Sequence, residues 1–371
     1  NLMCKAAYLH VPFCQDICAY CDFFRCRYHV GLAEKWLAAI AKELTIKKLS
    51  PLTTMYIGGG TPSALQPQQL ETLLSLLVPY TKEVNEYTIE ANVESLTDEK
   101  LDICQRYGVN RISLGVQSLQ PSLLNQMHRH HTSEDVLACI KRIHAHGIHN
   151  ISIDMIYGLP KQSLAMWEED LHTIVSSFPI QHISLYGLTI EPHSEFGRQG
   201  IQNIDEDIEA DMYDLAITLL QQYGFQQYEI SNFAKPKYAS LHNQVYWRYE
   251  DFYGIGCGAS GKDKRGRYEN TSNLETYLQQ GASSVYEKLD TKAQMFEMIM
   301  MSLRMKQGIS RQAFFERFGK DISEVYGSII EKQKEKGLLL VDEEKIWASE
   351  RGFHLLNDVL VEFLGDDKAH G

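Results

Sequence analysis

Six short apolar segments recur through the first half of the chain, each followed by a stretch with helical spacing, and no other feature limits the fold as strongly. They are Ala7–Val11, Thr54–Gly58, Tyr87–Val93, Arg111–Val116, Ile151–Tyr157 and His182–Leu188. Each is rich in β-branched or aromatic residues and closed by glycine, proline or polar residues, the pattern of a strand. Between and after them, Leu32–Leu49, Gln68–Val78, Asp135–His146 and Asp205–Tyr223 carry apolar residues at helical spacing. Strands alternating with helices predict an α/β fold with a parallel sheet and right-handed crossovers, either open or curled into a barrel. In both cases a site is expected at the C-terminal ends of the strands.

The alternation stops near residue 230. Tyr228–Gly261 is rich in Asn, Tyr and Gly, and from Thr291 onward helices dominate: Ala293–Met305, Arg311–Phe318 and Ile322–Lys336. A strand over 337–341, a hairpin partner over 345–347 and a last helix over 352–364 suggest a small helical, winged-helix-like module. The expected division is 1–230, 231–290 and 291–371, in keeping with a chain of 371 residues that is long for one compact domain. The net charge of −12 disfavours nucleic acid as a main partner. No apolar run approaches the roughly 20 residues of a membrane span. The first residues do not read as a secretory leader. Eight cysteines in such a chain point to the reducing cytoplasm, where clustered cysteines serve as metal or catalytic groups.

Three of those cysteines, Cys14, Cys18 and Cys21, fall in one loop after the first strand, with the spacing C-x3-C-x2-C. Three thiolates so close together can hold three corners of a 4Fe–4S cluster and leave the fourth iron to a small molecule. A zinc site completed by Cys26, His10 or His29 is the alternative that spacing leaves open. Polar residues interrupt the later strand ends. Gly58-Gly59-Gly60-Thr61 follows the second strand and allows close approach to a ligand. Glu90, Gln117 and Asp154 stand in or at the ends of the third, fourth and fifth strands. Singly, each suits a structural hydrogen bond as well as a ligand contact; together they predict a polar ring around one mouth.

The cysteine loop and its preceding Tyr8-Leu9-His10-Val11-Pro12-Phe13 resemble the radical S-adenosylmethionine (SAM) superfamily. The resemblance extends over nearly the whole chain. It is closest to the branch that contains oxygen-independent coproporphyrinogen III oxidase and the HemW-type haem chaperones. It implies a partial (β/α)6 barrel, a 4Fe–4S cluster on Cys14, Cys18 and Cys21, and SAM contacts at Tyr8, Gly59, Gly60, Thr61, Glu90, Gln117, Arg129 and Asp154. Gly187 is expected near the adenine.

Two features separate the branches. Phe23 stands where the oxidase branch commonly has a further cysteine. His242-Asn243-Gln244-Val245-Tyr246-Trp247 matches a stretch associated with haem binding in the chaperones. An imidazole is a standard axial ligand of haem iron, and Tyr246 and Trp247 offer flat apolar area to a porphyrin. A purely local role for His242, with core roles for the aromatics, is the alternative. Cys257 is a possible thiolate ligand, and the basic run Lys262, Lys264, Arg265 and Arg267 a possible seat for propionates or a plain solvated loop. The resemblance therefore implies a haem chaperone that passes haem to an acceptor protein, with an electron donor as a possible partner and no catalytic residue of its own. The alternatives are an oxidase that oxidatively decarboxylates porphyrinogen propionates and a haem-degrading radical SAM methyltransferase.

Overall fold

The computed structural model describes residues 4–16, 19 and 26–364. Six parallel strands follow the predicted segments to within a residue or so: β1 (Ala6–Val11), β2 (Thr54–Gly59), β3 (Glu86–Asn92), β4 (Arg111–Gln117), β5 (Asn150–Tyr157) and β6 (His182–Gly187). The crossover helices are α1 (Val30–Lys47), α2 (Pro67–Thr81), α3 (Asp98–Arg106), α4 (Ser133–Ala145) and α5 (Leu164–Ser177), and α6 (Glu206–Gln222) follows β6. Their starts are written locally. Thr97, Thr132, Ser163 and Asp205 each accept a hydrogen bond from a backbone N–H of the first turn, and α2 opens with Pro67, whose missing N–H costs nothing there.

The stretch from 226 to 255, irregular in sequence, completes the sheet. It supplies β7 (Gln226–Gln227), β8 (Asn232–Ala234), a short helix α7 (Leu241–Trp247) and β9 (Tyr253–Ile255). The order across the sheet is β9-β1-β2-β3-β4-β5-β6-β8-β7. β9 runs parallel to β1 on one edge, and β8 runs antiparallel to β6 on the other. The sheet is open, a partial barrel.

Side chains alternate along every central strand. Leu9, Ile57, Ile89, Leu114, Ile153 and Ile183 face outward into one large apolar core against the helices. The residues between them are largely polar: Tyr8, Tyr56, Glu90, Ser113, Asp154 and Ser184. Strands of a parallel sheet buried on both faces usually read as unbroken apolar runs. The period of two here marks a polar barrel interior.

Three strands, β10 (Ser260–Lys262), β11 (Gly266–Glu269) and β12 (Val285–Lys288), form a small antiparallel sheet. The C-terminal module then has its own apolar core, with Phe314, Ile330, Leu339, Ile346 and Val359 buried in it. Its elements are α8 (Thr291–Ser302), β13 (Ile309–Ser310), α9 (Arg311–Phe318), α10 (Ile322–Glu335), β14 (Leu339–Val341), β15 (Lys345–Ala348), α11 (Glu350–His354) and α12 (Leu356–Glu362). The predicted hairpin is a three-stranded sheet in the order β13-β15-β14, and the last predicted helix is broken into two. No helix among the described residues is long and apolar enough to cross a membrane.

The module is tied to the barrel around Tyr249. The Nζ of Lys262 and the guanidinium of Arg317 lie over its ring, 4.0 and 4.7 Å from the centroid. Lys262 also pairs with Asp251 at 3.1 Å, and Arg267 with Glu297 of α8 at 2.6 Å. Half of the basic run considered for propionates is thus already engaged in this junction.

Candidate functional site

The mouth of the barrel is built where β1 and β2 end. Gly60 N–H donates to Val11 O and Thr61 N–H to Phe13 O, both at 2.7 Å, so the glycine turn grips the start of the cysteine loop. Gly59 has φ of +122°, and a Cβ on Gly60 would lie 2.8 Å from Cys14 Sγ and 2.7 Å from Phe13 O. Glycine is required here because two backbones and a thiol pass too close for any side chain. The loop is closed from the other side by Cys26 N–H to Pro12 O (2.8 Å) and Tyr28 N–H to Cys14 O (2.7 Å). Cys18 and Cys21 lie outside the described residues, as does Phe23; Cys14 is buried and faces the mouth.

From Cys14 a chain of hydrogen bonds runs across the strand ends. Thr61 Oγ1 donates to Cys14 Sγ (3.7 Å), Asn92 Nδ2 to Thr61 Oγ1 (3.2 Å), and Arg129 Nη2 to Asn92 Oδ1 (3.1 Å) and Gly115 O (2.6 Å). Arg129 therefore faces the mouth rather than solvent. His131, two residues on, bridges Glu94 and Val116 O and fixes that segment. Gln117 is carried to the mouth by a β-bulge between β4 and β5, and its own φ is +70°. A non-glycine residue in the left-handed region costs about 1 kcal/mol, and such strain clusters at functional sites.

Below this rim stand the two acids. Glu90 accepts hydrogen bonds from Tyr56 and from the Gly59 N–H, yet burial and the neighbouring Asp154 push its carboxyl up to about 8. Asp154 is pushed up to about 6 by burial, against the pull of Arg111 and hydrogen bonds from Ser113 and Ser184. A Cβ on Gly58 would lie 2.2 Å from Glu90 Oε1, so that glycine leaves room for the acid. Without a cation between them, the two carboxyls are held partly protonated by their surroundings.

All eight residues implied as SAM contacts, Tyr8, Gly59, Gly60, Thr61, Glu90, Gln117, Arg129 and Asp154, line one cavity together with Cys14. Its volume is about 620 Å3, within the range that takes a cofactor-sized molecule. Gly187 lies at its edge. The sequence reading missed His10, Asn92, Ser113 and Tyr186, which also line it. The signal was available for three of them: His10, Asn92 and Ser113 each lie an even number of residues from a predicted contact on the same strand, whereas nothing marked Tyr186.

His242 lies elsewhere, in the local arrangement that the sequence left open beside haem ligation. α7 seats on the floor of the barrel, at the N-terminal strand ends. The Glu86 carboxylate at the start of β3 receives the Leu241 and His242 N–H groups at 2.8 and 3.0 Å. This carboxylate answers the unsatisfied donors and the positive end of the helix. The His242 ring points up into the lumen with no exposed area. Its Nδ1 meets Thr54 Oγ1 at 2.9 Å and its Nε2 meets the Tyr246 hydroxyl. Both nitrogens are engaged, and burial with the nearby Arg111 lowers its pKa to about 3. In this arrangement neither nitrogen is open to an iron. Trp247, at the other end of the helix, turns toward the C-terminal module, where its carbonyl accepts from Ser302 at 2.7 Å. Cys257 is buried, its thiol donating to Thr271 O.

Among the described residues, no three His, Cys, Asp or Glu side chains converge as a metal site. His29, considered as a zinc ligand, caps α1. The mouth fits the other reading better. Paired acids suit an ammonium or sulfonium, Arg129 suits a carboxylate, and the glycine turn admits a ligand against Cys14.

A partial parallel barrel with this mouth defines a radical SAM protein, and the sequence comparisons agree. The radical SAM superfamily profile matches residues 8–174, and that of the HemN C-terminal domain matches 289–355. The haem chaperone HemW of Lactococcus lactis is 36% identical over 98% of both chains. That of Bacillus subtilis is 34% identical over 98% of this chain and all of its own, and that of Escherichia coli 32% over 97% and 98%. The coproporphyrinogen III oxidase HemN of Escherichia coli superposes over 98% of this chain and 91% of its own with a TM-score of 0.84, at 22% identity. The chain belongs to the HemW-type family within the radical SAM superfamily.

Proposed function

We propose that the protein is a haem chaperone that carries a 4Fe–4S cluster and SAM, binds haem and passes it to an acceptor protein in the cytoplasm. The observation that carries the cofactor part is the convergence on one cavity of Cys14 and the eight residues that the resemblance implies as SAM contacts. The haem part is supported by full-length similarity to relatives named haem chaperones.

In this reading Cys14, Cys18 and Cys21 would hold the cluster, with one iron left to a small molecule. Arg129 and Gln117 receive the SAM carboxylate end, Glu90 and Asp154 its cationic groups, and Gly59, Gly60 and Thr61 the part nearest Cys14. When bound, cluster and SAM supply one-electron chemistry at the mouth, with electrons from a donor protein. Thr61 and Asn92 hold the Cys14 sulfur in place, and the bulge at Gln117 keeps the rim preorganised.

The test is anaerobic reconstitution of the full chain, followed by titration with hemin and transfer to an apo-haem protein. A saturable haem spectrum, with haem appearing on the acceptor, is expected. Intact cluster and SAM binding with no saturable haem binding would overturn the chaperone reading and leave the cofactor reading standing.

A further inference from the structure

Arg111 is the one charged group of the deep lumen that the proposed function leaves without a task. It is the first residue of β4, and only 2% of its surface is exposed. Its Nη1 lies 3.5 Å from Thr88 Oγ1, and its Nε has no hydrogen-bond partner. Among the described residues no carboxylate oxygen comes within 4.0 Å of it. A desolvated guanidinium is costly unless an opposite charge answers it.

The answering charge stands one layer higher. Thr88 lies across from Arg111 in register, and Glu90 is the next lumen-facing residue on β3. Ser113, the next on β4, binds Asp154 of β5 at 3.4 Å. The Arg111 charge acts on both carboxyls from below and favours their ionised forms. Nothing else around them does so as a full charge. Tyr8 on β1 and Tyr56 on β2 face the same space and are kept protonated by burial, and Tyr186 on β6, whose ring lines the open cavity, is likewise uncharged. On the floor, Tyr246 is likewise protonated and His242 neutral. His182, at the start of β6, is also held neutral by burial and by Arg111 itself. His10 sits higher, bound to the Tyr8 hydroxyl.

We propose that Arg111 is a positioning residue for the cofactor mouth: from the layer beneath, its unpaired guanidinium allows Glu90 and Asp154 to be ionised together, so that both can receive a cationic ligand. The inference rests on the reading that the mouth takes SAM. Two carboxylates in one dry lumen repel each other, and a third charge of opposite sign beneath them offsets that repulsion. SAM brings a sulfonium and an ammonium against one carboxylate, and Arg129 at the rim is placed for the latter. The lumen then needs two negative charges at the height of Glu90 and Asp154, and Arg111 supplies the field that lets both exist.

The experiment is calorimetry of SAM and of S-adenosylhomocysteine, which lacks the sulfonium charge, on the reconstituted full chain from about pH 6 to about pH 9. The variants are Arg111→Met and Arg111→Gln, which remove the charge, and Arg111→Lys, which keeps it. In the neutral variants the pH midpoint of SAM affinity should move up by about one unit, giving about tenfold weaker binding at neutral pH that recovers at high pH. S-adenosylhomocysteine should lose less, and Arg111→Lys should keep the wild-type midpoint. If one neutral variant does not fold, the other carries the test; if neither does, Arg111→Lys decides it, since a shifted midpoint there would mean that guanidinium packing matters rather than charge. A neutral variant with the wild-type midpoint overturns the inference. Wild type that binds no SAM at any pH overturns the reading of the mouth itself and the inference with it, a result plainly different from an unshifted midpoint.

Discussion

The imidazole of His242 lies stacked on the ring of Tyr56, centroids 5.3 Å apart and planes 26° from parallel. Tyr56 in turn stacks on Tyr8 at 6.1 Å and donates its hydroxyl to Glu90. One tyrosine thus joins the floor of the barrel to the acid of its mouth. The stretch His242–Trp247 is a joint, with His242 and Tyr246 facing the lumen and Trp247 facing the C-terminal module.

His242→Ala is therefore expected to act first on stability. It removes a buried ring and leaves Thr54 and Tyr246 without their shared partner, a loss on the order of 3 kcal/mol. Thermal unfolding alongside a hemin titration checks this. A variant as stable as wild type that no longer gives the haem spectrum would make His242 an iron ligand in a second arrangement, with α7 swung out of the floor.

The mouth should release protons when it takes up SAM. In the free protein Glu90 and Asp154 titrate at about 8 and about 6, above their ordinary values of 4.5 and 3.8. A cationic ligand favours the ionised forms, so affinity should rise with pH through this window and level off above about 8. At neutral pH, calorimetry in two buffers of different ionisation heat should show a proton leaving on binding. The sign for stability is opposite. A carboxyl raised on folding stabilises fully below its unfolded pKa and loses that contribution as pH rises through the folded one. Relative to Glu90→Gln, the cofactor-free wild type should thus lose stability between about pH 5 and pH 8. No proton release, together with pH-independent affinity, would place the cofactor away from these acids.

The fold was legible because its signals are local and repeated. Short segments rich in β-branched and aromatic residues, closed by glycine, proline or polar residues, marked six strands, and helical spacing marked α1, α2, α4 and α6. The rim was legible through residue types that strand ends do not need for packing: Gly59, Glu90, Gln117. The barrel floor was not. β8 and β9 have three residues each and α7 has seven, too short for periodicity to register. They are held by partners far off in sequence, α7 by Glu86 and the β9 edge by Glu43, which accepts from Gly256 N–H, Asn270 and Tyr277. The stretch 242–247, which resembles a haem-associated stretch, is seated here through its two buried residues, His242 and Val245. Arg111 was overlooked because it opens an apolar strand, where a charge normally marks the solvent end.

Gly60→Ala should cost the cluster rather than the fold. The added methyl meets Cys14 Sγ and Phe13 O at distances that side chains do not tolerate, so the cysteine loop must shift. Preorganised sites tolerate displacements of about 0.5 Å. Iron content and the absorption near about 400 nm of thiolate-ligated iron, measured after anaerobic reconstitution, should fall well below wild type, as in Cys14→Ala, Cys18→Ala and Cys21→Ala. Cys104→Ala and Cys139→Ala should reconstitute fully, since both thiols are buried in the core behind the strands and pushed up to about 12 and about 11. Full cluster loading in Cys18→Ala would remove the three-cysteine assignment.

Decarboxylation of coproporphyrinogen III should be absent. The likeness to the HemN oxidase, at 22% identity, speaks for a shared fold and does not decide between the two activities. Two other features bear on the choice. Phe23 stands where the oxidase branch commonly has a further cysteine, and three relatives that match over nearly full length are named haem chaperones. His242, Tyr246 and Tyr56 fill the lumen below Glu90 with interlocked rings, so a tetrapyrrole has no room beneath the mouth and would have to lie over it. Mass spectrometry of products under strict anaerobiosis, with cluster, SAM and reductant present, is the measurement. Catalytic conversion of propionates to vinyl groups would make the protein an oxidase.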